Sequence, residues 1–223
     1  MVRRSIVRLV DALMIWSMPV VLRNLNRVVQ IQAGHTACLK QGFRLLKYDP
    51  NPGLTEFREI LVELTRLLKP SVYVEVGVSA GYVFNAIVPF VPQAVAVDIN
   101  PMPLIPDRPN VKKYVMPSEE FAQKWSGEID FLFIDADHRK EMVLKDFDLL
   151  APFVKEGQGL IFLHDTHPVS PDLLSDDRCS NAWEAAWEIR THSRYKDFEI
   201  VTIPGPRAGL SILRKATKQL AWM

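Results

Sequence analysis

Residues 198–213 read Phe198-Glu199-Ile200-Val201-Thr202-Ile203-Pro204-Gly205-Pro206-Arg207-Ala208-Gly209-Leu210-Ser211-Ile212-Leu213. Two apolar runs, 198–203 and 210–213, flank a Pro204-Gly205-Pro206 turn. Strands joined by so short a connection pair antiparallel. Upstream the rhythm differs. Residues 72–76, 94–98, 111–116, 129–135 and 159–164 are short apolar runs that read as buried strands. Between them, residues 80–88, 118–125 and a face marked by Val143, Phe147, Leu150 and Val154 read as helices. A further helix covers 182–192, with Trp183 and Trp187 one turn apart and expected to pack it on the sheet. Such alternation specifies a parallel sheet covered on both faces. The expected fold is therefore α/β, with five parallel strands closed by an antiparallel C-terminal hairpin.

The amino end stands apart. Phe57, Ile60, Leu61, Leu64, Leu67 and Leu68 repeat at helical spacing and Pro70 stops them. Before them, Tyr48-Asp49-Pro50-Asn51-Pro52-Gly53 is dense in breakers, which divides the chain into a basic helical extension (1–53) and a body (54–223). Eight basic residues against Asp11 alone give residues 1–47 a net charge of +7, so the remainder carries −6 within an overall +1. Arg8, Asp11 and Arg23 leave too few apolar residues for a spanning helix. The arm suits packing on the body or on a second subunit, as in a homo-oligomer, or lying on a membrane surface.

Composition excludes less. At 48% hydrophobic and 24% charged over 223 residues, disorder, collagen and coiled coil are poor descriptions. Cys38 and Cys179 are too few for a disulfide framework or a multi-cysteine zinc site, which points to a reducing, cytoplasmic setting. The overall charge gives no reason to expect nucleic acid.

Chemistry collects at the strand ends. The first strand runs into Glu75-Val76-Gly77-Val78-Ser79-Ala80-Gly81-Tyr82. In open α/β sheets ligands bind beyond the carboxyl ends of strands, and glycine there lets backbone approach them closely. The Gly-x-x-x-Gly spacing lacks the third glycine of a dinucleotide fingerprint. A glycine turn behind an acid suits a ligand with a cationic group and no phosphates, or simply a tight strand-to-helix turn. Asp98 ends the second strand, where an acid can accept hydrogen bonds from both ribose hydroxyls.

These residues resemble the class I S-adenosylmethionine-dependent methyltransferases over roughly residues 54–214. Glu75-x-Gly77-x-x-x-Gly81-Tyr82 is similar to the first motif of small-molecule O-methyltransferases of the catechol and caffeoyl-CoA kind. The resemblance implies a Rossmann-like doubly wound sheet of order 3-2-1-4-5-7-6. It also implies that Gly77, Ser79 and Gly81 line the methionine part of S-adenosylmethionine with Glu75 nearby, that Asp98 holds the ribose, and that Ser118 lies against the adenine.

The fourth and fifth strands end in Asp135-Ala136-Asp137-His138 and His164-Asp165-Thr166-His167. This pair resembles natural-product and sugar O-methyltransferases of the macrocin and cephalosporin-cluster type. The resemblance implies that Asp135 serves the cofactor end and that Asp135 and Asp165 hold Mg²⁺. The position after the second acid, often Asn or Asp in those relatives, is Thr166 here. An alcohol becomes a good nucleophile once its proton is removed, and His138 or Asp137 is placed to remove it, with histidine needing less tuning. The expected substrate is a hydroxyl of a small molecule: a sugar, a glycosylated metabolite or an aromatic one. The alternative is a protein of the same fold, accessory or hydroxylase-related, that binds the cofactor without methyl transfer. For His138 a helix cap, and for His164 a hydrogen-bonded core position, are the competing structural readings.

Overall fold

The computed structural model describes residues 57–205 and 207–216. The basic extension, the breaker cluster and Pro206 lie outside these described residues. The elements run α1 (Arg58–Leu68), β1 (Val72–Val76), α2 (Tyr82–Ile87), β2 (Gln93–Asp98), β3 (Val111–Val115), α3 (Ser118–Lys124), β4 (Phe131–Ile134), α4 (Lys140–Leu150), β5 (Leu160–His164), α5 (Ala182–Thr191), β6 (Phe198–Ile203) and β7 (Leu210–Lys215).

The seven strands form one sheet of order β3-β2-β1-β4-β5-β7-β6. The first five are parallel, with Val76 level with Val97 on β2 and with Ile134 on β4. β7 inserts between β5 and β6 and runs antiparallel to both, pairing Leu210 with His164 and with Ile203. Carboxyl ends of β1, β2, β4 and β5 therefore face one edge. Because β1 and β4 are adjacent although β2 and β3 intervene in sequence, the strand order reverses between them, which opens a crevice at that edge.

Helices cover the two faces, as the apolar strands require. α1 packs with α2, while α3, α4 and α5 pack in series. Val74, Val95, Leu132, Ile161 and Leu163 are fully buried within the larger core cluster. Several boundaries differ from the sequence reading by one or two residues, and two of these shifts have local reasons. Ile129 pairs with the 153–155 segment through its amide to Phe153 (2.8 Å) and its carbonyl to Lys155 (3.0 Å), so β4 begins only at Phe131. Pro89 helps tighten the end of α2 into a 3₁₀ turn over Val88–Phe90.

The tryptophans of α5 are the larger correction. Trp183 is 40% and Trp187 61% exposed, so neither packs the helix on the sheet. Ala182, Ala185, Ala186 and Ile189 form the i, i+3, i+4, i+7 stripe that does. Small residues there bring the helix close and leave both indoles outside the stripe. Among the described residues no helix is long and apolar enough to cross a membrane.

Phe162 sits fully buried in β5, edge-to-face with Phe131 at 5.2 Å. Phe162→Ala is expected to lower unfolding free energy by about 3–5 kcal/mol. Denaturant titration measures this, and a loss below about 1 kcal/mol would mean the sheet core is not packed as described.

Candidate active site

The turn after β1 is built from left-handed backbone: Gly77, Ser79 and Gly81 have φ of 86°, 48° and 75°. The Gly77 amide donates to the Val97 carbonyl at 2.9 Å, tying the turn to β2. A Cβ on Gly77 would fall 2.3 Å from the Asp135 carbonyl oxygen and 2.4 Å from Ala136 Cα. Only glycine lets the β1 turn and the β4 loop touch at this point. At Gly81 the neighbours would be the side-chain ends of Ile105 (2.3 Å) and Asn85 (3.0 Å).

Glu75 lies beneath this turn and is 2% exposed. It shares a strand face with Tyr73, whose phenol donates to its carboxyl. Burial, followed by the nearby Asp135 charge, raises the Glu75 pKa well above the carboxylate range, although the Tyr73 bond opposes the shift. Asp98, by contrast, stands at the rim. Its Oδ2 accepts the Ser79 amide at 2.9 Å and its Oδ1 accepts that of Asn100 at 2.8 Å, so the carboxylate is anchored at the turn. Next to it Ile99 is 69% exposed, an apolar face at a strand end that the sequence reading did not single out. Ser118 opens α3, and its hydroxyl donates to the buried Asp146 at 2.5 Å. That commits the hydroxyl proton to α4.

The β4 and β5 ends converge. His138 Nε2 lies 3.1 Å from Asp165 Oδ2 and 3.5 Å from Asp135 Oδ1. Its Nδ1–H donates to the Arg178 carbonyl, which fixes the ring and aims Nε2 at the acids. No side-chain cap bond marks the start of α4, whose N-cap residue is Arg139, so His138 is not a helix cap. His164 lies edge-on to Phe57 (5.9 Å) and Phe133 (6.1 Å). Its Nδ1 is 3.1 Å from Asp135 Oδ1 and 3.3 Å from Asp165 Oδ1, but buried without an aligned hydrogen-bond partner. Asp165 itself carries a φ of 58° and accepts the Cys179 thiol at 3.2 Å. A non-glycine residue held left-handed among charged groups is the kind of local strain that collects at functional sites.

The charges follow from this packing. Burial alone would lower the His138 pKa, but hydrogen bonding to Asp135 and the charges of Asp165 and Asp135 lift it to about 9. His164 is likewise raised despite burial, chiefly by Asp135. Burial raises and the two imidazoles lower the Asp135 pKa, and the net shift is well below the carboxylate range. Without a ligand His138 is thus an imidazolium at neutral pH. Asp137 is separate: Arg139 binds both its oxygens, the shortest contact being 2.6 Å, and that bonding lowers its pKa.

The donor set fits a divalent cation. Asp135, His138 and Asp165 offer ligand atoms that all lie within 4.8 Å of one another, and the unaligned His164 Nδ1 faces the same two acids. Thr166 does not take part as a matching ligand: it is 5% exposed and its hydroxyl accepts from Ser211 at 2.8 Å. Neither Arg178 nor Cys179 carried a signal in the sequence, because their contacts bridge 40 and 14 positions.

Residues 74–166 match the family model of a methyltransferase domain. None of the curated proteins compared with the chain matches it. Among solved structures, it is similar to the O-methyltransferase TomG from Streptomyces achromogenes in complex with S-adenosylmethionine, at 14% identity and a TM-score of 0.54, covering 82% of this chain and 96% of that one. A methyltransferase from Podospora anserina bound to S-adenosylhomocysteine gives 16% and 0.54 over 72% and 78%. A protein from Staphylococcus aureus provisionally described as a caffeoyl-CoA O-methyltransferase gives 16% and 0.56 over 83% and 92%. At such identities the structural likeness establishes the fold.

Gly77→Ala and Gly81→Ala separate the two turn contacts. Both place a side chain at positive φ, but only the first drives it into backbone. Gly77→Ala is expected to cost upward of about 3 kcal/mol and Gly81→Ala about 1–2 kcal/mol. Denaturation curves report the order, and equal or reversed losses would contradict the contact with Asp135 and Ala136.

Proposed function

We propose that this chain, which carries a class I methyltransferase domain, moves the methyl group of S-adenosylmethionine to a hydroxyl oxygen of a small molecule. The observation carrying this reading is the contact of the Gly77 turn with the Asp135-Ala136 backbone. It sets the proposed cofactor turn directly against the loop that carries His138. Proteins of the same fold that hold the methyl donor or its product support the reading.

S-adenosylmethionine supplies an electrophilic methyl carbon on a positively charged sulfur. The crevice suits such a group: it presents acids at the ends of β2 and β4 and lacks the dinucleotide glycine spacing. Gly77, Ser79 and Gly81 would line the methionine portion, with Glu75 supporting the turn from below. Asp98, anchored by two backbone amides, would receive the ribose hydroxyls with its remaining lone pairs. Ile99 offers an apolar face on the adenine side, and Ser118 would approach the same base.

The acceptor reacts from the β4–β5 side. A new bond from the hydroxyl oxygen to the methyl carbon forms in line as the sulfur–methyl bond breaks, and the hydroxyl proton leaves to a base. Orientation supplies much of such a rate, worth up to about 7–11 kcal/mol in well-aligned systems. His138 is the base we favour over Asp137, because its Nε2 faces the reacting edge while Asp137 is held by Arg139. Asp135 and Asp165 would hold a divalent cation. When bound, such a cation would lower the acceptor's pKa, and the two carboxylates that hold it would face His138 with less net charge.

The test uses the full chain, labelled methyl donor and a panel of hydroxylated acceptors. Calorimetry should show donor binding, weakened about tenfold or more by Asp98→Ala. No binding at millimolar donor would sink the reading. His138→Ala is expected to slow transfer about 10²–10⁴-fold with donor affinity little changed, and an unaltered rate would remove it as the base. Excess EDTA should slow transfer and added Mg²⁺ or Mn²⁺ restore it. Full activity in EDTA would eliminate the cation.

A further inference from the structure

A cavity of about 430 Å³ opens beside Asp165, and nothing in the chemistry above uses its walls. Thr166, Pro168, Val169, Ser170, Leu174 and Trp183 supply most of them, with His167 and Pro171 completing the lining. Thr166 is the peptide neighbour of Asp165, which joins this wall to the end of β5. Another wall is the Trp183 indole in the first turn of α5.

The walls are built before any ligand arrives. The His167 amide donates to the Ala208 carbonyl at 2.7 Å and the Val169 amide to that of Arg207 at 2.9 Å, which ties this segment to the chain before β7. Gly209 permits that approach, since a Cβ there would lie 2.3 Å from His167 Cβ. The loop leading to α5 has a small core of its own, Leu173, Cys179 and Ala208. At its end the Asn181 side chain accepts the Lys140 amide at 2.8 Å, binding the start of α5 to the start of α4. A pocket held this way loses little entropy when filled.

The lining chemistry narrows the occupant. No Lys, Arg, Asp or Glu lines the cavity. The Thr166 hydroxyl accepts a hydrogen bond from Ser211, and the Ser170 hydroxyl is bonded to Asp172. That leaves the His167 imidazole and the Thr166 O–H as the side-chain groups of the wall for a ligand. A sugar rich in hydroxyls would be desolvated there without enough partners, and a charged thioester would find no counter-ion. Val169 at 49%, Leu174 at 45% and Trp183 at 40% exposure present apolar area that a flat ring system would cover. The volume falls in the ~300–1,000 Å³ range of multi-ring ligands.

We infer that this cavity is the acceptor subsite, that it takes an uncharged hydroxylated molecule of more than one ring, and that Trp183 determines this specificity by stacking on it. The inference rests on the methyl-transfer reading for the word acceptor, but the binding site stands on its own geometry.

Equilibrium dialysis with the full chain in the presence of S-adenosylhomocysteine tests it, using naringenin, resveratrol and estradiol as uncharged multi-ring probes and methyl glucoside and caffeoyl-CoA as competitors. At least one multi-ring probe should bind more tightly than either competitor. Trp183→Ala should weaken that binding about tenfold, while Trp183→Phe retains most of it. Trp187→Ala, one turn away and outside the cavity, should leave it unchanged. Absence of Trp183-dependent binding for all three probes, or tighter binding of either competitor, overturns the inference. Circular dichroism checks that Trp183→Ala is folded, and a folded Trp183→Ala binding like wild type also overturns it. Calorimetry with S-adenosylhomocysteine alone separates the two readings. If the cofactor product fails to bind while Trp183-dependent binding persists, the methyl-transfer reading falls and the ring-binding site stands.

Discussion

The contact between Gly77 and the peptide joining Asp135 to Ala136 governs the rest of the site. β1 and β4 are hydrogen-bonded neighbours whose chains leave the sheet at the same level, Val76 beside Ile134. For both to turn outward there without collision, one must lack a side chain. Gly77 does, at a φ of 86°. The consequence is a crevice whose two halves, the glycine turn and the Asp135–His138 loop, cannot drift apart without breaking the sheet that supports them. A reaction that needs a donor and an acceptor held in line draws its rate from rigidity of this kind.

The second determinant is a compact group of opposite charges. Asp135, His138, His164 and Asp165 come from two adjacent strand ends and pack within hydrogen-bonding reach. Phe57 and Phe133 wall off one side of it at the His164 ring. In such a group each imidazole lies against carboxylates, and deleting one partner of a buried pair costs about 3–5 kcal/mol. Arg178 and Cys179 extend the group into the loop before α5, through the Arg178 carbonyl to His138 and the Cys179 thiol to Asp165.

Much of this frame was legible in the sequence. The strand runs, their parallel sense and the terminal hairpin follow from period and turn chemistry, both local properties. Gly77, Asp98, Asp135 and Asp165 stand out because they fall at the carboxyl ends of parallel strands, where a sheet of this kind opens its ligand crevice. What escaped depends on partners distant in sequence. Nothing near His138 announces that Asp165 will raise its pKa, and nothing near Ser118 announces Asp146. Trp183 and Trp187 were misplaced because indoles outweigh alanines in any local reading, whereas Ala182, Ala185 and Ala186 let α5 approach the sheet. Leu173 and Cys179 give no local sign of a shared core because Ala208, which completes it, follows the intervening helix and strand.

In the proposed reaction the β1 turn and the β4–β5 acids are two sides of a single methyl-transfer site. A crystal structure with S-adenosylhomocysteine decides whether they are. The ribose is expected on Asp98, the amino-acid portion over Gly77 to Gly81, and the sulfur directed toward the edge where His138 and Asp165 meet. Density for the ligand elsewhere, or its sulfur turned away from those two residues, would contradict it.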